Sequence, residues 1–158
     1  QSTGINPHDD LSPEESASII INHVIDGIEI ARKNNLPDRV IDFIRTHHGT
    51  LKVYYFYKQA LDKGNQVNDE DFSYPGPKPF SKETAILMMC DSVEAASKSL
   101  KEPTSTKIDA FVENIINKQM EEEQFNNANI TFKDILAIKK VLKTKLANIY
   151  HLRIEYPE

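Results

Sequence analysis

The chain has 158 residues, of which 39% are apolar and 27% charged, and its formal net charge is −5. That length supports a domain with a real core, the balance is that of a soluble globular protein, and the acidic excess argues against a surface that coats DNA or RNA. The single cysteine, Cys90, excludes an intrachain disulfide, and no apolar run is long enough to span a bilayer.

The elements read as helix after helix. Residues 1–12 form a loop rich in Gly, Pro and Asp. Ser12-Pro13-Glu14-Glu15 then predicts a helix start, with Ser as cap, Pro at the first position and Glu three residues after the cap. The helix should run from about Pro13 to Lys33, where Asn34 and Asn35 end it. Pro37 begins a second helix to about His48, stopped by Gly49. A third spans about Leu51 to Asp62. Residues 64–80 are polar, then proline-rich, and make a long loop with one turn near Asp69–Phe72. Ser81 caps a fourth helix to about Leu100. Pro103 and Thr104 lead into a fifth, to about Glu122. Thr131 caps a sixth, to about Tyr150. Few stretches alternate with a strand period, so the expected fold is all-α, with about six helices.

Four polar residues stand inside apolar helical patterns. At about 100° per residue, Ile19, Ile20, Val24, Ile28, Ile30 and Ala31 of the first helix form an expected apolar arc that includes His23. Val40, Ile41, Phe43 and Ile44 define the expected buried side of the second helix, and His47 and His48 project to either edge of it. Adjacent helical residues diverge by about 100°, so two neighbouring imidazoles meet on one ion only where a helix is ending, and Gly49 supplies that ending. Asp91 interrupts the apolar run Ala85-Ile86-Leu87-Met88-Met89-Cys90, where a carboxylate needs a cation or donors. Neutral imidazole is a common ligand for zinc, iron, nickel and copper. A metal site for water activation thus stands beside a plainer alternative of separate polar residues, each bonded to the backbone.

Other features point to structure. His8-Asp9 sits in an open loop and suits turn and capping chemistry. His151 is expected past the last helix and exposed. Lys139, Lys140, Lys143 and Lys145 read as the outer face of the sixth helix, and Glu121-Glu122-Glu123 as a solvated helix end. In Tyr54-Tyr55-Phe56-Tyr57, Phe56 is expected to pack. Lys52 and Lys78 are the nearest candidates to meet phosphate. No Gly-rich phosphate loop or CxxC pair is present.

Taken together, His23-Val24-Ile25-Asp26-Gly27, His47-His48-Gly49-Thr50, Tyr74-Pro75-Gly76-Pro77-Lys78-Pro79, Ser81-Lys82-Glu83-Thr84-Ala85-Ile86 and Asp91-Ser92-Val93-Glu94-Ala95-Ala96 resemble the cytoplasmic HD domain of bacterial seven-helix membrane receptors. Asn6-Pro7-His8-Asp9 and Arg153-Ile154-Glu155-Tyr156-Pro157-Glu158 match as well, so the likeness covers nearly the whole chain. It implies an HD-domain-like helical bundle and a metal-dependent phosphodiesterase that opens cyclic di-AMP to linear pApA. It also implies two divalent metals, iron or manganese, with His23, His47 and His48 on one and Asp91 on the other. Separately from the resemblance, Thr50 and Lys78 are the candidates to meet the substrate.

The family's upstream histidine and its His-Asp doublet precede the region that begins at Gln1, and His8-Asp9 matches a later loop instead. Residues 1–158 are therefore expected to be the C-terminal portion of the catalytic domain. Such a piece would hold one metal at most and show little or no activity. The implied partner is a cyclic dinucleotide rather than a nucleic-acid polymer. Membrane attachment would come only through an upstream region, with this part on the cytoplasmic side of the inner membrane. Apolar surface left uncovered makes a homodimer an expectation. Two other readings stay open: a non-catalytic helical module that binds a ligand or partner, and an HD phosphohydrolase acting on another nucleotide.

Overall fold

The computed structural model describes residues 6–64 and 66–154, with side chains through Tyr150. Six α-helices and one 3-10 turn are found among them: α1 Pro13–Lys33, α2 Asp38–Thr46, α3 Tyr54–Asp62, the 3-10 turn Asp69–Phe72, α4 Lys82–Ser97, α5 Ser105–Glu121 and α6 Phe132–Ile154. The fold is all-α. No helix among the described residues is long and apolar enough to cross a membrane. The chain divides into two units, Gln1–Pro77 and Lys78–Glu158.

In the first unit, α1 starts where its capping signals lie. The Ser12 hydroxyl accepts from the Glu15 N–H at 3.2 Å, and the Ser12 N–H donates to the Glu15 carboxylate at 2.8 Å. This reciprocal pair satisfies two helix-end donors, and losing such a cap typically costs about 1 kcal/mol. At the other end the Asn34 side chain donates to the Ile30 carbonyl at 2.8 Å. Asn35 takes φ +54°, which turns the chain toward α2.

The buried stripe of α1 runs through Ala17, Val24 and Ala31. Ala17 joins Phe56 and Ala60 of α3 and Phe72 of the 3-10 turn in one core cluster, with Ile20, Ile21 and Val53 packed around it. Ile19 and Ile30 were expected inside the arc but are 54% and 62% exposed. They lie about 200° and 220° around the helix from Ala17, so burying that stripe leaves them outside. His23 shares their sector and is exposed too. On α2, Ile41 is buried and Phe43 and Ile44 are half-buried, whereas Val40 is exposed. Gly27 lets α2 approach α1: a Cβ there would sit 3.1 Å from Ile44 Cγ2.

The second helix ends earlier than expected, at Thr46. The buried Thr46 hydroxyl turns back to the Asp42 carbonyl at 2.6 Å. His47 is the C-cap, and Gly49 adopts φ +50°, a conformation that favours glycine. Residues 51–53 are extended rather than helical, because Lys52 bridges Ser73. The Val53 N–H donates to the Phe72 carbonyl at 2.7 Å, and the Tyr74 N–H donates to the Leu51 carbonyl at 2.9 Å.

In the second unit, Ser81 and Thr84 cap α4, Thr104 caps α5, and Thr131 exchanges hydrogen bonds with Asp134 at the start of α6. The core takes Ala85, Met88, Met89 and Val93 from α4, Ile108, Val112 and Ile116 from α5, and Ile135 and Leu146 from α6. Lys139 is not on an outer face. It is buried, its ammonium 2.7 Å from both Glu113 Oε2 and Asn117 Oδ1, while Lys143 reaches Glu113 Oε1 at 2.8 Å. The hydrogen bonds from Lys139 and Lys143 hold the Glu113 carboxyl down to about 2. Helix α6 continues through His151 to Ile154. The side chain of His151 and the matching run from Arg153 to Glu158 lie outside the residues whose side chains are described.

Candidate metal centre

Three imidazoles converge in the first unit. One ring nitrogen from each of His23, His47 and His48 lies within 4.8 Å of the others, a spacing that fits one metal ion. Helix α1 supplies His23 and the turn closing α2 supplies the doublet. The Nε2 atoms of His23 and His47 are 3.3 Å apart. The ring centroids of His47 and His48 are 4.0 Å apart, and that of His23 is 5.4 Å and 5.1 Å from theirs.

The backbone sets which nitrogens face inward. His23 Nδ1 is bonded to the Ile20 carbonyl, and His47 Nδ1 is 2.5 Å from the Ile44 carbonyl. A carbonyl only accepts, so each Nδ1 carries the proton and donates. In the neutral tautomer each Nε2 then presents a lone pair. Two such lone pairs at 3.3 Å repel unless a cation sits between them. A ring nitrogen bonded to a carbonyl while the other faces the ion is the usual outer-shell arrangement of ligating histidine. The donor set fits a divalent transition metal and matches the nitrogen preference of zinc, iron, nickel and copper.

Electrostatics point the same way. Burial, then the neighbouring His47 and His23, push the His48 imidazole down to about 3. Its ring is thus neutral through the physiological range, the state in which imidazole binds metal.

The remaining sequence candidates are divided between the two units. Thr50 is half-buried in the same turn, next to Leu51, whose N–H donates to the His48 carbonyl at 3.1 Å. Asp91 belongs to the second unit, half-buried on α4. Its neighbours one turn away, Leu87 and Ala95, are exposed, while Met88, Met89 and Val93 face the core, so its surroundings are less apolar than the sequence run implied. Lys78, half-buried, opens the second unit. Lys52 is engaged within the first unit, 3.7 Å from the Asp69 carboxylate and 5.4 Å over the Tyr57 ring. His8 is a structural residue: its Nδ1 lies 3.0 Å from the hydroxyl of buried Ser16 and its ring packs on Phe56.

Sequence reasoning missed Tyr74 as part of this site. Its buried ring stacks on His48 with centroids 4.3 Å apart and an interplanar angle of 16°. It also meets the His23 ring edge-on at 6.1 Å. The available signal was an aromatic residue directly before Pro75, where the chain is biased to extended structure.

The HD domain model matches residues 3–96. The cyclic-di-AMP phosphodiesterase PgpH of Bacillus subtilis (strain 168) is 45% identical over 153 residues, which is 97% of this chain and 22% of that protein. The cyclic-di-AMP phosphodiesterase PgpH of Listeria monocytogenes serotype 1/2a (strain 10403S) is 44% identical over 158 residues, covering 100% of this chain and 22% of its own length. This chain therefore spans about a fifth of the length of these relatives. The crystal structure of the L. monocytogenes PgpH HD domain in complex with cyclic-di-AMP superposes with a TM-score of 0.91 at 43% identity, over 95% of this chain and 70% of that one.

Proposed function

The chain belongs to the HD domain family, and from that premise we propose that it carries part of the metal centre of a phosphodiesterase that opens cyclic di-AMP to pApA. The observation that supports this reading is the three-histidine cluster, whose ring nitrogens lie within 4.8 Å of one another on a chain related to two cyclic-di-AMP phosphodiesterases. His23, His47 and His48 would hold one ion, and Asp91 is the proposed ligand of a second. Iron or manganese are the proposed metals. A bound divalent ion supplies a Lewis acid that activates water and stabilises charge developing on phosphoryl oxygens.

The residues of this chain do the rest. The Ile20 and Ile44 carbonyls orient His23 and His47. His48 stays neutral and ready to bind. Thr50 and Lys78 are proposed to meet the phosphates. On a chain of net charge −5, local positive charge at the site is what a doubly anionic substrate needs. The proposed setting is a membrane-attached parent that holds this stretch on the cytoplasmic side, in keeping with the receptor-like resemblance.

The test is hydrolysis of cyclic di-AMP, followed by chromatography of pApA in the presence of manganese. It compares this chain with a version extended upstream. With three clustered ligands and Asp91, this chain alone should bind metal and turn over slowly or not at all, while the extended version yields pApA. An extended version that binds manganese but leaves cyclic di-AMP intact and cleaves another nucleotide would overturn the substrate assignment.

Self-association is a second expectation. Ile19 and Ile30 are exposed on the α1 sector that carries His23, and exposed apolar surface of this kind favours pairing of two copies. Light scattering should report a dimer at high concentration; a monomer throughout would remove the idea.

A further inference from the structure

Each of the three clustered imidazoles needs something to hold its ring in place, and the three are held differently. His23 is fixed through the Ile20 carbonyl and His47 through the Ile44 carbonyl. Among the described residues, the ring contacts of His48 are aromatic instead: Tyr74, His47 and His23. Of these, Tyr74 makes the near-parallel stack at 4.3 Å and 16°.

Tyr74 is itself fixed. Its N–H donates to the Leu51 carbonyl at 2.9 Å, and two residues earlier the Phe72 carbonyl accepts from the Val53 N–H at 2.7 Å. The Lys52 and Ser73 backbones pair between these bonds. This short antiparallel contact begins directly after the His47-His48-Gly49-Thr50 turn, so the turn and the tyrosine are tied to one another at the backbone. Phe72, wholly buried against Ala17 and Phe56, anchors the segment to the core.

We propose that Tyr74 is the positioning residue for His48, its ring replacing the carbonyl bond that orients the other two histidines. The inference rests on the metal-binding reading above. The stack restricts rotation of the imidazole and covers one of its faces from water, so His48 meets the ion without first being ordered. Losing an outer-shell partner of a metal ligand generally costs about 10- to 100-fold in affinity. The aromatic face is the feature that acts on the imidazole.

Cobalt(II) titration tests this, because its visible absorption reports ligand geometry independently of activity. The unaltered chain should take up cobalt with a defined spectrum. Tyr74→Phe should keep that spectrum and an affinity within about threefold. Tyr74→Leu should bind roughly tenfold or more weakly with an altered spectrum, while circular dichroism shows the metal-free variant folded. If Tyr74→Leu does not fold, Tyr74→Met makes the same comparison with a flexible filler. A folded Leu or Met variant with unchanged affinity and spectrum overturns the role of Tyr74. No uptake by the unaltered chain overturns the metal reading beneath it, a different and separately visible result.

Discussion

Replacing His47 by alanine is expected to abolish metal uptake by this chain. His47 is central to the cluster: its Nε2 faces that of His23 at 3.3 Å, and its ring is the one closest to His48, at 4.0 Å. Removing it takes away one of three nitrogen donors and leaves two, too few to compete with water for a divalent ion. The loss should exceed the roughly 10- to 100-fold that follows removal of an outer-shell partner. Asp91→Asn is the informative contrast, since Asp91 is assigned to a different ion; that variant should keep the uptake of the unaltered chain. Metal content after dialysis, read by elemental analysis with manganese and iron, checks both. Equal metal in His47→Ala and the unaltered chain would remove the cluster as a metal site. Binding should also weaken as pH falls, because protons compete for the same lone pairs.

The second large effect is expected in the second unit. Glu113→Ala should destabilise the second unit by on the order of 3 kcal/mol, because it strands the buried ammonium of Lys139 without its carboxylate. Lys139→Met should be tolerated to within about 1 kcal/mol: it removes the charge that must be desolvated and fills similar space. Glu113 keeps Lys143, and its own side chain is 36% exposed. The asymmetry between the two variants is the diagnostic result, and urea unfolding measures it. The pH dependence has a definite sign. The Glu113 carboxyl is held from an ordinary value of 4.5 down to about 2, so its contribution is complete above about pH 4.5 and is lost as pH falls through about 2. The stability gap between Glu113→Ala and the unaltered chain should shrink over that window. A constant gap would mean that the carboxylate charge is not what Lys139 needs.

Much of this molecule was legible locally. The start of α1 follows from Ser12 and Glu15, which lie within one turn and satisfy each other's backbone groups. The 3-10 turn at Asp69–Phe72 and the caps at Ser81, Thr104 and Thr131 are equally local. Gly49 marked the turn that lets His47 and His48 leave helical spacing, although the helix proper stops at Thr46. The family resemblance grouped His23 with the doublet, but no spacing rule did so, since 24 positions separate His23 from His47.

Hydropathy misread α1 and α6 for a related reason. Ile19 and Ile30 are apolar yet exposed, and Lys139 is charged yet buried. Composition describes a side chain, but its burial depends on which neighbour the helix turns toward. Ala17, Val24 and Ala31 won the buried stripe of α1, which packs against α2, α3 and the 3-10 turn, with Ala17 in the cluster of Phe56, Ala60 and Phe72. Lys139 went inward because Glu113 and Asn117 of α5 stand where its ammonium ends.

By itself, then, the sequence determined that six helices form, the caps of α1, α4, α5 and α6, the histidine turn and the family likeness, all of which rest on contacts within a few residues or on ordered motifs. The tertiary structure alone decided that α1 and α2 approach closely at Gly27 and Ile44, that two Nε2 lone pairs face each other, and that Tyr74 backs His48. Those outcomes depend on packing between segments distant along the chain, where angstrom-scale fit rather than residue type selects the partner.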